Sequence, residues 1–208
     1  MDFGYPYGRY RIFHEEYLKP RPGAGLLDLL VMGLLPPLEG IYRTYLEAGN
    51  VWQQLRQGQG YGRLEAVDGV LLAHAPLDHS GHISLLREDI RVYATATTAF
   101  IAKAMQDTGR APFDQRVCYF TPREGKCVEG LRQGAYIASG AGDRQRRFCL
   151  ADKSRLGKEA EEFWVTTNRQ KKFATQPLKD IGKCGLALHC FPVDHSIPGA
   201  CAWGIETS

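Results

Sequence analysis

The chain has 208 residues, 44% of them hydrophobic and 24% charged, with a formal net charge of +3. This places it in the ordinary soluble range, long enough to bury a real core in one domain with an insertion, and the small charge selects no class of partner by itself. No apolar run reaches the roughly 20 residues of a membrane helix, and MDFGYPYGRY at the start lacks the regions of a secretory signal, so the expectation is a cytoplasmic protein with no membrane partner.

In chain order, Gly4, Pro6 and Gly8 predict a loop, and FHEEYLKPRPG a short helix stopped by Pro20 and Pro22, with His14 as a polar surface group. GLLDLLVMGLLPPLEGIYRTYLEA reads as two amphipathic pieces, the first a short buried or groove-lining helix broken by Gly33 and Pro36-Pro37. Residues 50–62 are rich in Gln and Gly and read as a flexible connection. AVDGVLLAHA has the continuous apolar run of a strand buried on both faces, and IRVYAT predicts a second strand. TTAFIAKAMQDTG predicts a helix capped by Thr97 or Thr98 and stopped at Gly109. This order predicts an α/β fold. Residues 110–176 break the rhythm and read as a basic inserted subregion, after which GLALHCFPVDHSIPGACAWGIET returns to strand-like segments around a tight turn.

The six cysteines, Cys118, Cys127, Cys149, Cys184, Cys190 and Cys201, contain no C-x-x-C pair and are expected as reduced thiols. A zinc knuckle from Cys118, Cys127 and Cys149 fits no standard spacing, and structural cysteines are the preferred reading. Basic residues gather in DRQRRF, KSRLGK and NRQKKF, with Phe148, Phe163, Trp164 and Phe173 among them. Arg144, Arg146, Arg147, Arg169, Lys171 and Lys172 could neutralise RNA phosphates while the rings stack bases; a solvated insertion with aromatic anchors explains the same residues equally well.

Chemistry concentrates in LLAHAPLDHSGHISLL, where His74, Asp78 and His79 follow a buried strand. Loops at the C-terminal ends of strands are where open α/β sheets place ligands, and imidazole with carboxylate suits zinc, manganese or iron better than magnesium. This stretch resembles the H-x-H-x-D-H metal loop of the metallo-β-lactamase fold, with IRVYAT and TTAFIAKAMQDTG where that fold has its next strand and helix. FPVDHSIPGACAWGIET resembles a later motif of the ribonuclease J-like hydrolases, and MDFG resembles the Asp-x-Gly at a strand end that precedes the metal loop.

The resemblance implies a four-layer αββα sandwich, of which the chain holds the first half with an insertion. It implies a two-metal hydrolase acting on RNA, with zinc or manganese as cofactor. His74 and His195 would bind one metal, Asp78 and His79 the other, Asp2 would orient the loop through hydrogen bonds, and Asp78 would stand nearest a general base. Taken alone, His195 would be a turn histidine. His82 and His189 match no ligand position. Pro76 stands where the family has its second histidine, which predicts weakened or single-metal binding. The family's later ligands have no counterpart before Ser208, so the resemblance implies an incomplete domain that aggregates or forms a homo-oligomer through exposed faces. The alternative from another class is a catalytically inactive relic that binds RNA through the basic subregion. A small-molecule hydrolase of the same fold ranks below both.

Overall fold

A computed structural model describes residues 1–14, 18, 20–109, 111–128, 131–137, 140–167 and 172–206. The first half runs through helices α1 (Tyr7–Phe13) and α2 (Leu27–Val31), strand β1 (Leu38–Glu39), helix α3 (Val51–Leu55), and strands β2 (Gly62–Arg63) and β3 (Gly69–Leu71). Helix α4 (Leu77–Ser80), strand β4 (Arg91–Ala94) and helix α5 (Ala96–Thr108) follow, then strands β5 (Tyr119–Phe120), β6 (Arg123–Val128), β7 (Leu131–Ile137), β8 (Asp143–Gln145) and β9 (Phe148–Leu150). The rest is helix α6 (Lys158–Val165) and strands β10 (Phe173–Ala174), β11 (Lys179–Asp180), β12 (Leu188–Pro192) and β13 (Cys201–Ile205). The class is α/β, with several small sheets around one larger one.

That larger sheet has the order β11-β9-β4-β3, with every pair parallel. Its strands alternate between two cores, as the period of two in a strand requires. Val70, Leu72, Val92, Ala94, Phe148 and Leu150 face the main core, which α2, α3 and α5 help to fill, whereas Leu71, Tyr93 and Cys149 face a smaller cluster with Cys184 and Trp203. Burial on both faces explains the unbroken apolar runs of β4 and β9. Gly69 is required by packing: a Cβ there would come within 2.4 Å of the Tyr93 ring on the neighbouring strand.

Residues 110–176 supply β9 to this sheet, along with the β10-β8-β5 sheet and the β6-β7 hairpin. Cys149 and Cys184 form a disulfide, which corrects the expectation of reduced thiols for this pair. Cys149 lies on β9 and Cys184 in the turn after the adjacent β11, a proximity that only the folded sheet creates. Cys118, Cys190 and Cys201 are free thiols, and Cys118 is buried.

Other expectations change as well. The first helix is Tyr7–Phe13, earlier than expected: Pro6 precedes it and its carbonyl accepts from Arg9 and Tyr10 N–H, and Gly8 is carried inside it. His14 is buried beside Tyr10, not on the surface. Within the Gln- and Gly-rich stretch, Val51 and Trp52 are buried and hold α3 against the core. Helix α5 is capped by Thr95, two or three residues before the expected Thr97 or Thr98; its Oγ1 accepts from Thr98 N–H at 3.2 Å. Among the described residues, no helix is long and apolar enough to cross a membrane.

Candidate metal centre

The site is assembled at the C-terminal edge of the parallel sheet from three separate segments. The first is the loop after β3. Leu72 continues the strand by donating to Tyr93 O, and the chain then turns at Pro76, whose carbonyl accepts from His79 and Ser80 N–H at 3.0 Å each. Ser80 Oγ donates to Ala75 O at 2.7 Å and locks this turn.

The second segment is residues 1–5, laid along α4. Phe3 N–H donates to His79 O and Tyr5 N–H to Leu77 O, each at 2.9 Å, and His82 N–H donates to Phe3 O at 3.0 Å. Gly4 makes this approach feasible, because a Cβ there would lie 2.0 Å from the carbonyl oxygen of Asp78. The seating delivers Asp2 to the loop: one carboxylate oxygen accepts from Ala73 N–H and the other meets His79 Nδ1, both at 2.6 Å.

The third segment is the β12-β13 hairpin, which lies against the free edge of β3. Cys201 N–H donates to Ala73 O at 3.0 Å and Trp203 Nε1–H to Leu72 O at 3.1 Å. The hairpin turn is also tied to the start of α5, because the hydroxyls of Thr95 and Thr98 both donate to Gly199 O at 2.8 Å. Gly199 has φ +86°, and a Cβ there would stand 2.7 Å from Thr97 Cβ. This turn brings an exposed His195 to the loop.

The structure thus brings together Asp2, His74, Asp78, His79 and His195. The His74 ring lies 3.7 Å from that of His79 and 4.9 Å from that of His195, centroid to centroid. His79 Nε2 stands 3.4 Å from Asp78 Oδ2. Burial, followed by the neighbouring His79 and His195, pulls the His74 pKa below the usual histidine value, so its ring is neutral at pH 7.

Two features suit a cation: the donors are imidazole and carboxylate, and the buried His74 Nδ1 has no hydrogen-bond partner among the described residues. Against them, no three His, Cys, Asp or Glu side chains among the described residues have donors converged on one point. Pro76, at the N-cap of α4 between His74 and Asp78, supplies no ligand atom from its side chain. As placed, these side chains do not form a closed ligand set. His82 is buried against Phe3 and Tyr5, and burial depresses its pKa to about 3, while His189 lies at the surface near Glu206; neither joins the cluster.

The basic residues fare differently. Arg144 is exposed and paired with Glu88 at 3.1 Å, and Arg147 and Lys172 are exposed. Arg146 is a correction, being 1% exposed and unable to meet RNA; its guanidinium donates to the carbonyls of Ser84, Leu86 and Arg87. Arg169 and Lys171 lie outside the described residues. Phe148 and Trp164 are core side chains, so of the interleaved rings Phe163, at 40% exposure, is the most open to solvent.

Thr95 and Thr98 hold the His195 turn, a role the sequence did not suggest for Thr98, expected only as a cap candidate, although Thr95, standing between strand and helix, is a signal for such a clasp. Sequence reasoning also passed over Gly199, whose signal was the Pro-Gly that closes the turn.

No protein-family model matches this chain, and no curated protein does. One similar solved structure is a protein of unknown function from Enterococcus faecalis V583, with a TM-score of 0.34 and 18% identity. The match covers 79% of this chain and 40% of that one, so the chain spans less than half the length of the protein it matches.

Proposed function

We propose that the chain is a metal-dependent hydrolase of the metallo-β-lactamase superfamily, ribonuclease J-like and acting on RNA phosphodiesters. The observation that supports this reading is the meeting of Asp2, His74, Asp78, His79 and His195, drawn from three segments, at the C-terminal edge of a parallel sheet. His74, Asp78, His79 and His195 are the residues that would hold zinc or manganese. When bound, such an ion supplies Lewis acidity that polarises a phosphoryl oxygen and brings the pKa of water toward neutrality.

Asp2 fixes the His79 ring by holding Nδ1–H, which leaves Nε2 as the free nitrogen. His74, kept neutral by burial, keeps a lone pair available at pH 7. Asp78 is partly open to solvent and adjoins His79 Nε2, a position from which its carboxylate can take a proton from a nucleophile.

A second reading is favoured by Pro76 and by the unconverged donors: a catalytically inactive module of the same fold that binds RNA. One experiment separates them. The full chain is incubated with zinc or manganese, its metal content is measured, and cleavage of an end-labelled RNA is followed with and without a chelator. The hydrolase reading expects chelator-sensitive cleavage that Asp78→Ala and His79→Ala abolish, and higher metal content in Pro76→His. RNA retained but uncut, indifferent to chelator, with Pro76→His binding no more metal, would establish the inactive module.

A further inference from the structure

A second concave site lies away from the histidine cluster, with none of its lining residues in common. It is a cleft of about 450 Å³ lined by Arg43, Arg87, Arg144 and Arg147, with Glu88 and Asp89 the carboxylates among them. Both carboxylates are already engaged: Arg87 holds Asp89 through two hydrogen bonds, at 3.0 and 2.9 Å, and Arg144 holds Glu88 at 3.1 Å. Arg43 and Arg147 therefore face the cleft with no carboxylate in ion-pair contact among the described residues.

Arg43 is the unusual member. It is 3% exposed, its Nη1 donates to Tyr45 Oη at 2.9 Å, and its Nε has no hydrogen-bond partner among the described residues. A guanidinium stays charged inside a protein, and a buried charge ordinarily has a counter-ion. Burial depresses the Arg43 pKa, and the neighbouring Tyr45 and Glu88 offset this only in part. The buried Arg146 adds a second positive group on the same Phe120 ring, with guanidinium carbons 4.3 Å (Arg43) and 5.3 Å (Arg146) from its centroid. Guanidinium forks without an ion-pair contact among the described residues, one buried and one at the rim, suit an oxyanion, and the fork matches phosphate geometry. The volume exceeds that of a bare phosphate and suits an ester with an organic part.

We propose that this cleft binds a phosphate ester of nucleotide size, with Arg43 as the buried anchor and Arg147 as the rim contact. The ester is either a free nucleotide or a phosphate of an RNA strand. The proposal does not rest on the metal-dependent reading, and its test needs no turnover.

The full chain, with no divalent cation added, is melted in chloride and in inorganic phosphate at equal ionic strength. It is then titrated with adenosine 5′-monophosphate and with a ten-nucleotide RNA. A ligand of the folded state raises Tm, by roughly 5–10 °C at a hundredfold excess over Kd for a chain of this size. The expectation is such a rise for at least one probe, with Kd weakened about tenfold in Arg147→Gln and more in Arg43→Met. Arg43→Met is also expected to melt at or above the wild-type Tm in chloride, because it removes a buried charge without a counter-ion. RNA that binds tenfold more tightly than the mononucleotide assigns the site to a strand, and equal affinities assign it to a free nucleotide. No rise with any probe, or equal affinities in wild type and Arg147→Gln, overturns the proposal. Arg147 is exposed, so its variant decides the matter even if Arg43→Met does not fold.

Discussion

Substitution of Gly4 by alanine tests whether the seating of residues 1–5 on α4 builds the histidine cluster. The added Cβ would lie 2.0 Å from Asp78 O, 2.1 Å from its carbonyl carbon and 2.3 Å from His79 N, all backbone atoms that cannot rotate away. A carbon and a carbonyl oxygen need about 3.3 Å, so the segment must retreat by roughly 1.3 Å. That retreat stretches the bonds Phe3 N–His79 O, Tyr5 N–Leu77 O and His82 N–Phe3 O, now 2.9, 2.9 and 3.0 Å, past useful range. At about 1 kcal/mol each, their loss costs about 3 kcal/mol, and partial exposure of the buried Tyr5 ring adds to it. For a chain of this length the expected fall in Tm is roughly 6–12 °C. Circular dichroism melts measure the stability, and the nitrogen shifts of the His79 ring report the site directly. In the wild type Asp2 holds Nδ1–H; in the variant His79 should show the tautomer mixture of a free imidazole. A variant within about 0.5 kcal/mol of wild type, with His79 unchanged, would refute the seating.

Three further perturbations probe the frame around the cluster. Cys184→Ser opens a disulfide that closes a sequence separation of 35, and by loop entropy should lower stability in urea by about 4 kcal/mol; equal midpoints for wild type with and without reductant would contradict it. Asp114 is buried with its carboxylate accepting from Tyr5 Oη at 2.8 Å, and burial raises its pKa. Between the ordinary carboxylate pKa and that raised value the folded chain holds more protons than the unfolded one, so this group lowers stability as pH rises through the window. Asp114→Asn should therefore remove a loss of stability that the wild type shows on going from acid to neutral pH, and identical pH slopes would disprove the assignment. Trp164→Ala should cost about 3–5 kcal/mol, because the ring is buried and its Nε1–H donates to Gln176 O at 3.0 Å; a loss of RNA affinity with unchanged stability would instead restore it as a stacking surface.

The parts of the fold legible in the sequence are those set by local chemistry. VLLA and RVYA announce a doubly buried parallel sheet because no polar residue interrupts their apolar positions, and the α5 helix follows from threonines before an Ala-rich run and a glycine after it. Strand β9 was hidden because FCL is short and directly preceded by two arginines, and charge suggests surface. Arg146 defeats that inference: three backbone carbonyls satisfy its guanidinium inside the protein, a circumstance no composition reveals. Helix α3 was masked by glutamines and glycines, with only the adjacent Val51 and Trp52 to anchor it. In the site, His74, Asp78 and His79 fall within one loop and are visible by spacing. Asp2 and His195 could be attached to them only by motif resemblance, since their proximity depends on Gly4 and on the Gly199 clasp. Arg43 gave no signal, because burial without a counter-ion is a property of the folded chain.

The three segments that meet at the histidines differ in how firmly they are bound. The loop after β3 grows out of the central sheet, whereas residues 1–5 rest on a few backbone bonds, the Asp2 carboxylate and the Tyr5 ring, and the hairpin turn on two threonine hydroxyls. Sub-global opening should therefore release Asp2 or His195 long before the sheet itself unfolds. Amides of residues 3 and 5 would exchange with solvent deuterium by local detachment, those of β4 and β9 by global unfolding. A ligand bridging the segments would slow the first class toward the second. The cluster is then a latch whose closed fraction sets its apparent affinity, and stabilising the latch would tighten binding with no new contact to the ligand.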